Sequence, residues 1–181
     1  MKTDIIRTQR KFHGAWDEIG YLRIKILDWF YGRGNRRRAL PFCARMEALL
    51  EKTPDAHEAI FGEECWSLIR EVQGDLAGAI AYREREIELI RRLHRITVNT
   101  PGRDFALQGY DYSDWSDRLD LLAILYHDAG NLLKAIQILK ESRRLCQRRG
   151  IPFDGADVLR EYLAEAAANG QSSRRLPLGK I

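Results

Sequence analysis

Three glycine turns of matching chemistry constrain the fold of this chain more than any other feature: Gly34-Asn35, Gly74-Asp75 and Gly130-Asn131. Glycine and asparagine tolerate the left-handed conformation in which helices end. Five residues after each glycine stands an alanine, Ala39, Ala79 or Ala135, followed by the bulky Leu40, Ile80 or Ile136. A small residue at that place lets a second helix lie close to the first just beyond a tight turn. Eight residues before each glycine is Ile26, Trp66 or Leu122, a core anchor for the preceding helix.

Apolar periodicity fills in the helices. Residues 18–31 place Ile19, Leu22, Ile26, Trp29 and Phe30 on one face, and 36–52 place Leu40, Cys43, Met46, Leu49 and Leu50 on another. Pro41 falls near the first turn of that second helix, where its missing N–H does little harm. Thr53-Pro54 is a stop, and Asp55 with Glu58 offers a reciprocal cap for a helix reaching about Val72. A helix over 76–96 carries Glu88 and Arg92 as an outward pair, and the next hairpin spans 113–126 and 132–149, with Ser113 as its cap. A last helix over 154–168 buries Val158, Leu159, Tyr162, Leu163 and Ala166 and closes at Asn169-Gly170. Residues 97–112 read as one long loop and 171–181 as a flexible tail. No stretch alternates apolar and polar residues over strand length. The expectation is an all-α chain with a single helical-repeat domain over 1–170, its repeats at about 18–53, 55–96 and 113–150 and a cap at 154–168.

The glycine between paired helices, with an alanine early in the second, resembles the tetratricopeptide repeat family. The third unit matches best, with Leu122-Ala123 and Tyr126 leading to Gly130-Asn131 and Ala135. The first unit has Leu27 where the family prefers a small residue. The second has Arg70 where an aromatic is usual, and Arg83 and Glu86 at positions commonly apolar or small. The resemblance implies helical hairpins stacked in a short superhelix, the last helix capping the stack. It also implies a concave groove lined by first helices: Ile24, Asp28 and Tyr31, then Glu64, Leu68 and Glu71, then Asp120, Ile124 and His127. That lining is acidic with apolar patches, and it lacks the lysine and asparagine set that clamps a C-terminal carboxylate in chaperone-binding members.

The function expected is therefore a non-catalytic adaptor that holds a basic or amphipathic segment of another protein, with Tyr110 and Tyr112 beside the long loop as further contact candidates. An accessory nucleic-acid-binding subunit is the alternative. It would use the convex arginines Arg36, Arg37, Arg38, Arg91, Arg92, Arg95, Arg143, Arg144, Arg148 and Arg149, whose plainer role is a solvated helix face. A third reading is self-assembly: the net charge is +4, yet residues 1–53 and 132–181 are basic while 54–131 are acidic. Asp111, Asp114, Asp117 and Asp120 suit the positive end of a helix better than a calcium loop, which needs a glycine and a terminal glutamate missing here. His13, His57, His94 and His127 fall at no metal-ligand spacing, and Phe61 stands where a zinc-protease helix begun by His57-Glu58 would need its second histidine. No cofactor, metal or enzymatic activity is expected. Cys43, Cys65 and Cys146 are odd in number and far apart, which fits reduced core cysteines in the cytoplasm, and no segment reads as a membrane span or secretory signal.

Overall fold

A computed structural model describes residues 12–53, 56, 59–99 and 111–174, the last five in backbone only. Among the described residues the chain is all-α, as expected, with seven α-helices and no strand. They are α1 (Ala15–Leu27), continued by a π-helical turn (Asp28–Gly32), α2 (Arg36–Leu50), α3 (Ile60–Gln73), α4 (Leu76–Val98), α5 (Tyr112–Asp128), α6 (Leu132–Arg149) and α7 (Ala156–Arg174). The chain divides into two compact units, Met1–His57 and Glu58–Ile181.

Each glycine–Asx pair ends one helix and starts the next. Gly34, Gly74 and Gly130 have φ of 59°, 83° and 79°, so the left-handed conformation read from the sequence is present at all three. The following side chain then caps the next helix: Asn35 accepts from the amide of Arg38 at 3.1 Å, Asp75 from Gly78 at 2.9 Å and Asn131 from Lys134 at 3.2 Å. Asp75 N donates back to Arg70 O and Asn131 N to Tyr126 O, five residues earlier in both cases, whereas Asn35 N reaches Trp29 O, six residues earlier. The π turn supplies that extra residue. Counted through the hydrogen bond, Ile26 therefore stands level with Ser67 and Ala123, one place away from Trp66 and Leu122. Ala39, Ala79 and Ala135 are all fully buried. The close approach is direct at the second turn, where the Ser67 hydroxyl of α3 donates to the Ala79 carbonyl of α4 at 2.9 Å.

In the first unit α1 and α2 pack through Ile19, Leu22, Ile26, Phe42, Cys43, Met46 and Leu50. Arg45 clasps Glu18 with two hydrogen bonds of 2.8 and 3.1 Å. Leu40 is 38% exposed and Phe42 is buried in its stead, because the inward set of α2 runs 39, 42, 43, 46 and 50. Trp29 and Phe30 are half-buried; Arg33 and Arg38 lie over the Trp29 ring at 4.6 and 4.7 Å. Pro41 is the sixth residue of α2, one turn deeper than expected, on its exposed side.

In the second unit α3 packs on α4, α5 on α6, α4 on α5 and α6 on α7. Residues 62–69 of α3 are all buried, the mark of a helix enclosed on every side. One apolar core joins Ile87 of α4 to Leu119 and Leu122 of α5, Ile138 and Leu139 of α6, and Leu159 and Tyr162 of α7. The expected 97–112 loop is shortened at both ends. Thr97 and Val98 continue α4, and α5 begins at Tyr112 under a reciprocal cap of Asp111 with Asp114, at 2.8 and 3.2 Å, so Ser113 is not the cap. Residues 100–110 and the Asp55–Glu58 cap lie outside the described residues. The helix expected to close at Asn169-Gly170 runs through to Arg174, and Leu163 is 43% exposed where burial was expected.

The alanine positions give a direct test. Ala135→Leu is expected to destabilise the protein by roughly 1–3 kcal/mol through overpacking, whereas Leu133→Ala, at a position 77% exposed, changes stability by under about 0.5 kcal/mol. Urea unfolding followed by circular dichroism measures both.

Candidate functional site

The second unit is organised around charges inside it. Glu86 of α4 is fully buried and paired with Arg83, one turn earlier on the same helix. From α5, Arg118 donates through Nε to Glu86 Oε1 at 3.1 Å and through Nη2 to Glu64 Oε2 of α3 at 3.3 Å. Asp114 lies 3.9 Å from the same guanidinium. Beside this network Glu63, also fully buried, accepts from Arg85 Nε at 2.8 Å. Arg83 and Glu86, two of the departures from the tetratricopeptide pattern, are thus the partners of a buried ion pair. Burial pushes the Glu86 carboxyl above its ordinary value, with Arg83 and Arg118 pulling it back down. Removing one partner of such a network leaves a charge uncompensated away from water. Arg118→Met is expected to cost about 3 kcal/mol or more, and adding Glu64→Gln, which leaves the Arg83–Glu86 pair balanced, recovers part of that loss in the same urea titration.

This network encloses residues that were expected to line a groove. Glu64 and Leu68 are only 8% and 4% exposed, so neither forms an open acidic lining, because α3 is enclosed and Arg118 takes the Glu64 charge. Glu71 is half-buried. Ile24 (62% exposed) and Tyr31 (52%) belong to the first unit, where Asp28 is paired with Arg33 at 3.1 Å. On α5, Asp120 turns toward the start of α7: burial pushes its carboxyl up to about 6, opposed by the Ser142 hydroxyl and the Gly155 amide. His127 is covered by α7. Its ring stacks on Tyr162 with centroids 4.2 Å apart, and Nε2 meets Glu165 Oε2 at 2.9 Å. Tyr112 is half-buried, its hydroxyl 3.0 Å from His94 Nε2 and its ring 4.1 Å beneath Arg149. Tyr110 lies outside the described residues.

What α5 leaves open is a narrower stripe. Leu121 and Ile124 are 37% and 38% exposed, and Asp117 and Asp128, also exposed, flank them at helical spacing. Ile124 is among the residues expected to line a groove. Leu121 is not, although the reading of Leu122 as the inward anchor already turns its neighbour outward.

The arginines separate into two groups. Arg91 pairs with Glu141 across to α6 at 2.6 Å and with Glu88 at 3.8 Å; Arg95 pairs with Glu88 at 2.8 Å. Glu88 thus faces Arg91 and Arg95 where an Arg92 pair was expected. Arg149 lies over Tyr112. Arg92, Arg143, Arg144 and Arg148 are exposed on the second unit, and Arg36, Arg37 and Arg38 are exposed on the first.

Among the described residues no helix is long and apolar enough to cross a membrane, and no three His, Cys, Asp or Glu side chains are grouped to hold a metal ion. All three cysteines are buried and none is in a disulfide. Comparison of the chain with family models, with curated proteins and with solved structures finds no match in any of the three.

The contact of His127 with α7 titrates. The hydrogen bond to Glu165, reinforced by Asp128, raises the imidazole above its ordinary 6.5. A raised folded-state value means that the contribution is complete below 6.5 and is lost as pH rises through the folded value. Amide exchange in α7 is expected to quicken as pH rises above 6.5 and through the raised folded-state value, beyond the intrinsic base-catalysed increase. His127→Gln should abolish that excess.

Proposed function

We propose that this protein is a non-catalytic adaptor built from three tetratricopeptide-like hairpins with α7 as the cap, and that it holds a basic, amphipathic segment of another protein against α5. The observation that carries the reading is the stripe Asp117, Leu121, Ile124 and Asp128, in which two exposed apolar side chains lie between two carboxylates. Such a face suits an apolar partner stripe flanked by lysine or arginine: the aliphatic pair supplies buried area, and the carboxylates set orientation and favour encounter. The ion network supports the same reading, because it holds α5 against α3 and α4 and leaves this face outward. Buried cysteines outside any disulfide fit a reducing cytoplasmic setting.

Nucleic-acid binding is the second reading, favoured by exposed Arg143, Arg144 and Arg148 on α6. The neutralisation of Arg91 and Arg95 by Glu88 and Glu141 counts against a wider basic track. Fluorescence anisotropy with a labelled amphipathic Leu/Lys helical peptide tests the first reading. Ile124→Asp with Leu121→Asp is expected to weaken binding by about tenfold or more, and Arg144→Glu with Arg148→Glu to leave it unchanged. Peptide binding indifferent to the α5 pair, together with capture of a DNA oligonucleotide that the arginine pair abolishes, would transfer the function to the basic face.

A further inference from the structure

Beyond the α5 stripe, the second unit has another open face, of opposite charge. Its helices pair as α3 with α4 and α5 with α6, while α7 packs chiefly on α6. Along the free flank of α7 runs a groove of about 370 Å³ shared with α6. Phe153, Ala156, Leu159 and Leu163 form its floor, and Arg143 and Arg160 stand at its rim. The α7 floor residues fall at i, i+3 and i+7, the spacing by which one helix receives another. Ala156 keeps one end shallow enough for close approach, and Leu163 is 43% exposed for a side chain that points into a groove.

The two rim guanidiniums set the chemistry of what fits. Arg143 is exposed. Arg160 pairs with Asp157 at 2.9 Å, but their side chains are 77% and 81% exposed, and a pair so hydrated yields readily to a competing carboxylate. A helix carrying an apolar stripe with glutamates or aspartates beside it would bury Leu163 and meet both arginines. Residues 175–181 do not suit the groove, since Arg175 and Lys180 repeat the sign of its rim and no acidic residue accompanies them. The acidic stripe of α5 in a second copy has the right charge. It lies on a helix already packed against α4 and α6 and touched by α7, which keeps it from sinking into a groove.

We infer that the α6–α7 groove is a docking site for an acidic amphipathic helix of a partner protein, which would pair with α7 as α4 pairs with α3 and α6 with α5. The site is separate from the α5 stripe and selects the opposite charge, so either can fail without the other.

The test uses the whole chain and a labelled helical peptide of about 18 residues, five turns, with leucine every third or fourth position and glutamate between. A second peptide has lysine in place of every glutamate. The glutamate peptide is expected to bind the parent chain at least about tenfold tighter than it binds the Leu163→Asp variant. Arg143→Glu with Arg160→Glu is expected to reverse the preference between the two peptides at this groove, measured in the background of Leu121→Asp with Ile124→Asp that weakens the α5 stripe. All three substituted groove residues are exposed, so the variants should fold as the parent does, which circular dichroism verifies. Glutamate-peptide binding indifferent to both groove variants would overturn the inference. So would dimerisation of the chain alone, seen by sedimentation and abolished by Leu163→Asp, which would give the groove to a second copy.

Discussion

A guanidinium placed among carboxylates away from water holds the second unit together. Arg118 of α5 reaches Glu86 of α4 and Glu64 of α3 with different nitrogens of one planar group, and Arg83 neutralises Glu86 from the other side. Apolar contacts alone tolerate sliding between helices, since leucine against leucine is nearly as good one position along. A fork of N–H donors facing fixed oxygens does not slide without leaving a buried charge unpaired. The position of the α5–α6 hairpin on the α3–α4 hairpin is therefore fixed by charge and filled in by the shared core of Ile87, Leu119 and Leu122. The faces that α5 and α7 present outward follow from that position.

Within each hairpin the constraint is local. A left-handed glycine reverses the chain, the next residue caps the new helix, and an alanine in the first turns lets the pair close. The first hairpin keeps this device although its leading helix ends in a π turn. One extra residue there changes which side chains upstream of Gly34 align with their counterparts in the other hairpins. Leu27, which departs from the family pattern by simple counting, thereby leaves the small-residue place, and Ile26 enters it.

Spacing made much of this legible from the sequence. Gly34, Gly74, Gly130 and the three alanines act within a few residues of one another, so a linear pattern records them faithfully. The inward face of α1, with Ile19, Leu22 and Ile26 buried, was readable for the same reason. The site was harder to see, because its determinants are distant in sequence: Arg118 and Glu64 are 54 residues apart. A charged residue read in isolation is assigned to solvent, so Glu64 was placed in an open groove, and Arg83 and Glu86 looked like defects in a repeat. His127 was read as exposed because its cover, Tyr162 and Glu165, comes from a helix that follows a further hairpin element. Tyr112 was read as part of a loop, when Asp111 and Asp114 had already begun the helix.

If Arg118 is the tie between the hairpins, α3, α4 and α5 open together. Native-state amide hydrogen exchange in increasing low concentrations of denaturant measures this most directly. The slowest amides of Ile69, Ile87 and Leu119 should converge on one opening free energy and one denaturant dependence. Exchange from α3 and α4 at a distinctly lower free energy, while α5 and α6 stay protected, would contradict the account.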